Sequence, residues 1–187
     1  MTIREEEVAT GMAIAAPGQR GNEADPGAGR LRLEWARPTD LPALMEMYND
    51  FGPGERTLGL PPADTLVRRR WLERLLTEGL NLTARLDGAT VGHAALVATS
   101  PGRAELAIFV HPCFRRRGVG TALVRMLVAT ARGAGLQRLA ATVASENVAA
   151  LRLLRRCGFL TIGWGWGELY MARELQDTSG PAQAQAA

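Results

Sequence analysis

The sequence reads as an α/β protein, a mixed and mostly antiparallel sheet flanked by helices in an α/β/α sandwich, and three observations carry that reading. Short β-type runs alternate with amphipathic helical runs; three of the β runs are separated only by turn signals; and 187 residues at 47% hydrophobic and 22% charged make one ordinary globular domain. From Gly11 to Arg30 the chain is rich in Gly, Ala and Pro with no sustained period, and the end from Asp177 is similar. Residues 1–30 are therefore expected to be a disordered leader, 31–175 the domain and 176–187 a flexible tail.

The elements follow in order. "LRLEWA" (Leu31 to Ala36) alternates as a strand, and Pro38, Thr39 and Asp40 start a helix over "LPALMEMYNDF". "FGPGERTLGLPP" is a loop. In "ADTLVRRRWLERLLTEG" the residues Leu66, Val67, Trp71, Leu75 and Leu76 recur at helical spacing, which predicts a helix that turns them inward and leaves Arg68 to Arg70 on a solvated face. "LNLTARLDG", "ATVGHAALVATSPG" and "RAELAIFVH" are β runs punctuated by Asp87-Gly88 and Ser100-Pro101-Gly102, an antiparallel meander. "GTALVRMLVATARGAG" is an amphipathic helix with Leu123, Leu127 and Val128 inward, "LQRLAATVA" a strand, "NVAALRLLRRCG" a helix closed by Gly158, and "FLTIGWGWGELYMARE" one or two last strands. The order is β-α-α-β-β-β-α-β-α-β-β.

Charge narrows the partners only a little. The formal net charge is only +3, and every one of the 22 basic residues is arginine, which does not deprotonate and so raises the isoelectric point without implying a strong field. Two cysteines, an acidic N-terminus in place of a secretory signal, and no apolar run near the roughly 18 residues of a membrane span point to a reduced, cytoplasmic setting without membrane.

The chemistry concentrates in "FVHPCFRRRGVGTALV", Phe109 to Val124. Three arginines and two glycines stand between the end of a strand and the first turn of a helix. Glycine there allows positive φ and close approach of a ligand; unpaired N–H groups and the helix dipole attract phosphate; guanidinium groups can close over its outer oxygens. A phosphate-bearing cofactor suits this better than nucleic acid, because no aromatic residues interleave with the arginines for stacking. Two familiar phosphate loops fail: there is no lysine for a P-loop, and Leu123 occupies the third glycine of a dinucleotide fingerprint.

The run Arg115, Arg116, Arg117, Gly118, Val119, Gly120 matches Arg/Gln-x-x-Gly-x-Gly/Ala, and here the chain resembles the GNAT superfamily of acyl-coenzyme A dependent N-acetyltransferases. "ELAIFVHPCFRRRGVGTALV" resembles that family's fourth strand, pyrophosphate loop and third helix, and "WARPTDLPAL" its opening strand and helix. "ASENVAALRLLRRCGF" resembles its Asn-x-x-Ala-x-x-Leu-Tyr-x-x-x-Gly-Phe segment, with Asn147, Ala150, Leu153, Gly158 and Phe159 in register. The likeness covers about residues 31–175. It implies acetyl-CoA as cosubstrate, with main-chain groups of Phe109 and Val110 pairing with pantetheine along a strand splayed by a bulge. Arg115, Arg116, Arg117, Gly118, Val119, Gly120 and Thr121 would hold the pyrophosphate, and Asn147 would bond pantetheine or shape the acceptor channel.

Transfer by direct attack in a ternary complex needs a neutral amine, hence a base. Glu105, in the strand leading to the loop and the only acid between Asp87 and Glu146, is the expected base. The family's usual tyrosine is Leu154 here, which cannot protonate the leaving thiolate; Tyr170, Ser145 and solvent are the substitutes, and a catalytically silent acyl-CoA sensor is the alternative.

Other conspicuous residues read as packing. His93 and His111 lack further ligands at metal spacing, so no metal is expected. Cys157, just before Gly158, is expected to be a buried small hydrophobe. Trp164 and Trp166 alternate about Gly165 and would line an acceptor channel, fill core or form a homodimer contact. For the acceptor, "FGPGERTLGLPP" and "GHAALV" resemble the catalytic module of bacterial protein-lysine acetyltransferases, which implies protein lysine; small amines and antibiotics are the other acceptors.

Overall fold

The structure, a computed structural model, describes residues 31–175, so the expected leader and tail lie outside the described residues. The elements are β1 (Arg32–Trp35), α1 (Leu41–Asn49), α2 (Thr65–Glu78), β2 (Leu80–Leu86), β3 (Ala89–Ser100), β4 (Arg103–Val110), α3 (Val119–Gly133), β5 (Arg138–Ala144), α4 (Val148–Arg156), β6 (Leu160–Gly165) and β7 (Glu168–Glu174), the order expected from the sequence. They form one seven-stranded sheet, β1-β2-β3-β4-β5-β7-β6. Every neighbouring pair is antiparallel except β4 and β5.

Alternation along the central strands divides the core in two. Ala94 and Leu96 of β3 and Ala104 and Leu106 of β4 pack with Leu123, Leu127 and Val128 of α3, the inward face its periodicity predicted. The intervening residues Ala95, Val97, Ala107 and Phe109 pack with Leu44, Met47 and Tyr48 of α1 and Trp71, Leu72 and Leu75 of α2. Helices thus cover both faces of β2 to β4.

The face of α2 is a correction. Leu66 is 66% exposed, whereas Arg68 is 3% exposed and belongs to the buried stripe with Trp71, Leu72 and Leu75. The guanidinium makes that burial tolerable: Nη1 donates to the carbonyls of Pro62 (3.1 Å) and Ala63 (3.2 Å), and Nη2 to Asn49 Oδ1 (2.7 Å), tying the α1–α2 loop to both helices. Burial, and then the nearby Arg56 charge, lower its pKa. Arg69 stays on the surface, paired with Glu73.

Candidate active site

β4 and β5 lie side by side for three residue pairs only, Arg103 with Arg138, Ala104 with Leu139 and Glu105 with Ala140. Both strands continue, to Val110 and Ala144, without pairing to each other. A wedge therefore opens directly above Glu105. Along it β4 keeps its bonds to β3, Leu106 opposite Leu96 through Val110 opposite Gly92, and turns a free edge to the wedge. No bulge makes this fork: the register shift touching β4 is at its start, between Ala98 and Ser100 of β3.

Above the wedge stands the start of α3. Arg116 has φ 63° and Gly118 φ +83°, and no side chain caps the helix. The first helical bond runs from Ala122 N–H to Gly118 C=O (3.0 Å), so the amides of Val119, Gly120 and Thr121 precede it. The neighbouring helices begin differently. Asp64 Oδ1 accepts from the amides of Leu66 (2.8 Å) and Val67 (2.9 Å) at α2, and Asn147 Oδ1 from that of Ala150 (3.1 Å) at α4.

The two glycines have different reasons. Gly118 has open space where a side chain would stand and is required by its left-handed backbone. A Cβ on Gly120 would meet Leu153 Cδ2 at 2.9 Å, with Val110 Cγ2 at 3.5 Å and Ile108 Cδ1 at 3.6 Å, so this glycine lets α3 close on α4 and on the wedge wall. The two motifs of the sequence touch here. The arginines diverge: Arg115 Nε donates to Val110 C=O (3.3 Å) and its guanidinium lies 5.9 Å from the Phe51 ring centre, while that of Arg117 lies 5.3 Å from the Phe114 ring centre. They do not form one basic patch with the buried Arg68.

Glu105 shares the α1/α2 face of β4 with Ala107 and Phe109 and is 5% exposed. Thr142 Oγ1 donates to its Oε1 (3.3 Å) from the other side of the fork. Farther along that lip, Thr142 pairs with Tyr170 and Ala144 with Glu168, and the Tyr170 hydroxyl donates to Glu168 Oε2 (3.4 Å). Thr142 escaped the sequence reading because only the pairing of β4 with β5 brings it to Glu105, and Glu168, 6% exposed, because only the pairing of β5 with β7 sets it on the same lip. The opposite wall is aromatic, with Tyr48, Trp71 and Phe51 edge-on around Phe109 at 5.4 to 6.4 Å between ring centres. The site is thus apolar and aromatic on one lip, polar and acidic on the other.

Beneath the aromatic wall His93 is fully buried between Tyr48 and Asn81. Asn81 Nδ2 donates to the carbonyls of Leu75 and Gly79, so its Oδ1 accepts from His93 Nε2 (3.0 Å), and His93 Nδ1 accepts the Tyr48 hydroxyl (2.8 Å). With the ring neutral and desolvated, its pKa falls to about 4. His111 accepts the Cys113 amide on Nδ1 and donates from Nε2 to Asp50 (2.7 Å). Cys157 is buried as expected, and burial raises its thiol pKa. Among the described residues no three His, Cys, Asp or Glu side chains are grouped to hold a metal, and no helix is long and apolar enough to cross a membrane.

Leu154 is 1% exposed inside the larger core, so the slot of the family tyrosine is filled by packing. Of the substitutes, the Tyr170 hydroxyl donates to Glu168 on the acidic lip and Ser145 Oγ to Glu146 Oε2 (3.4 Å).

An open strand edge accepts an extended chain carrying amides, and an uncapped helix start accepts phosphate; pantetheine diphosphate has both in that order. The profile of the Acetyltransferase (GNAT) family matches residues 41–159. The chain belongs to the GNAT family. L-methionine sulfoximine/L-methionine sulfone acetyltransferase of Pseudomonas aeruginosa is 30% identical over 128 residues, 64% of this chain and 74% of that protein. Phosphinothricin N-acetyltransferase of Alcaligenes faecalis is 33% identical over 136 residues, 68% of each chain. A putative acetyltransferase of Salmonella typhimurium, solved with acetyl-CoA, superposes with a TM-score of 0.59 at 25% identity over 82% of this chain and 98% of that one. This GNAT protein is an N-acetyltransferase with acetyl-CoA as cosubstrate. The silent-sensor alternative gives way here, and protein lysine as acceptor finds no support among relatives named for small molecules.

Proposed function

We propose that this GNAT enzyme acetylates the primary amine of a small acceptor of the amino-acid type, by direct attack within a ternary complex. The relatives named for methionine sulfoximine and phosphinothricin support the acceptor class. The observation that carries the mechanism is the position of Glu105, buried at the last paired residue before the strands part and facing the α1/α2 side.

In this reading the pantetheine lies on the free edge of β4 at Phe109 and Val110, and its diphosphate meets the amides of Val119, Gly120 and Thr121. Gly118 holds those amides in place, and Arg116 and Arg117 supply charge around them, with Arg115 bracing the strand end. The acceptor enters between the aromatic and the acidic lips. Glu105, oriented by Thr142, takes a proton from the acceptor ammonium. The freed nitrogen attacks the thioester carbonyl, the C–N bond forms and the C–S bond breaks; the nitrogen releases its second proton to solvent as the amide forms, and the thiolate takes a proton from solvent because Leu154 has none to give. Asn147 shapes the acceptor channel by fixing the start of α4.

Thiol release from acetyl-CoA, measured with methionine sulfoximine, phosphinothricin and lysine-containing peptides, tests the acceptor class. Turnover with the amino-acid analogues and none with peptides is expected; turnover confined to peptides would overturn the reading.

A further inference from the structure

Trp164 on β6, the edge strand, and Trp166 at the turn that follows are 83% and 99% exposed, which corrects the expectation that they fill core. Trp71 is the reverse. It is 8% exposed within the aromatic wall, and its indole Nε1 has no hydrogen-bond partner. Two more buried N–H groups nearby lack partners, Nε of Arg68 and Nε of Arg56. Arg68 stands one turn before Trp71 on the buried stripe of α2. Arg56, in the α1–α2 loop, is close enough for its charge to add to burial in lowering the Arg68 pKa.

Buried donors are ordinarily satisfied, so three together mark a place for an acceptor group that the chain itself does not supply. Charge makes the same demand. Arg68 spends Nη1 and Nη2 on uncharged oxygens, and among the described residues no carboxylate forms an ion pair with Arg56 or Arg68. Asp64 acts on Arg68 from the start of α2, where its Oδ1 is taken by the amides of Leu66 and Val67. Two guanidinium groups are thus held together without an anion between them.

This place borders the candidate site. Trp71 stands edge-on to Phe109, 5.5 Å between ring centres, and Val97, the partner of Glu105 in β3, packs in the same cluster as Trp71 and Leu60. The identity of the missing anion rests on the amino-acid acceptor proposed above. In such an acceptor the carboxylate is one carbon from the amine, and turning it to the lip that carries Glu168 would oppose like charges. On the aromatic lip the Tyr48 hydroxyl is already spent on His93. We propose that Arg56 and the Trp71 indole N–H bind the carboxylate of the acceptor, with the buried Arg68 adding positive charge. The contact holds the acceptor at a second point and so turns its amine to Glu105.

Thiol release with two acceptors tests this, methionine sulfoximine and the amine that remains when its carboxylate is removed. Wild type should favour the amino acid by about 100-fold in kcat/KM. Arg56→Gln should cut that preference by at least about tenfold, through KM, and Arg56→Lys should restore part of it. Trp71→Phe, which keeps the ring and deletes the N–H, should cut it about threefold. Stabilisation of the variants by coenzyme A in thermal melts should match wild type, which separates a lost contact from lost folding. A merely structural role would lower both acceptors alike and leave the ratio untouched. A preference unchanged in both Arg56→Gln and Trp71→Phe overturns the inference while the acceptor class stands. Wild-type turnover of the amine but not of the amino acid overturns the acceptor class, and the inference with it.

Discussion

The β4–α3 and β5–α4 junctions descend from parallel neighbours in one sheet, yet they end in opposite states. At β5–α4 the chain completes its own bonding: Asn147 accepts the Ala150 amide, and Leu151 and Leu154 bury the helix. At β4–α3 a glycine with φ +83° stands where a cap would be, and the first helical bond waits for Ala122. A cap is worth about 1 kcal/mol. Folding forgoes it at the one junction that faces the free edge of β4, where a phosphate can complete the same amides. In the proposed reading, the cofactor site is the place where the fold leaves its hydrogen bonding to a ligand.

The sharpest test acts between the two junctions. Glu105→Gln should lower kcat by about 10²- to 10⁴-fold, the usual share of a general base, with coenzyme affinity unchanged by calorimetry. Undiminished kcat would remove Glu105 from the mechanism.

Gly118→Val should weaken coenzyme binding by about 100-fold while the protein still melts cooperatively, because a β-branched residue resists positive φ and turns the amides away. Binding as tight as wild type would erase the contrast between the two helix starts.

A third measurement reads the scaffold under β4. His93 is neutral in the fold with a pKa of about 4 and takes a proton near pH 6.5 when unfolded. Its contribution is complete above pH 6.5 and is lost progressively as pH falls toward 4. Denaturant unfolding should show about 2 kcal/mol less stability at pH 5 than at pH 6.5 from this group. A His93→Gln variant with the same pH slope would assign the loss elsewhere.

The smallest effect belongs to the completed junction. Asn147→Ala should cost about 1 kcal/mol of stability and raise the acceptor KM, with coenzyme affinity nearly unchanged. Loss of coenzyme affinity to the extent seen in Gly118→Val would make α4 part of the cradle and dissolve the comparison.

Local spacing carried much of this protein. Periods of two and 3.6, turn dipeptides and helix-closing glycines lie within a few residues of one another, so the order of elements, the inward face of α3, and the strand–glycine–helix junction at Phe109 to Gly120 were all legible. The place of Glu105 was legible too, a lone acid in the strand that leads to the junction; the role proposed for it rests on its burial beside the fork. Arg68 was misread, because a charged residue enters a buried stripe only when distant carbonyls and Asn49 receive its donors.

Strand pairing decided the remainder. The fork above Glu105, the approach of Thr142, Tyr170 and Glu168, and the exposure of Trp164 at a sheet edge depend on which strand lies beside which and in what register. Those pairings join residues tens of positions apart, Glu105 with Ala140 and Thr142 with Tyr170, and no short-range pattern encodes them. They are settled only when helices on both faces choose what the sheet must bury.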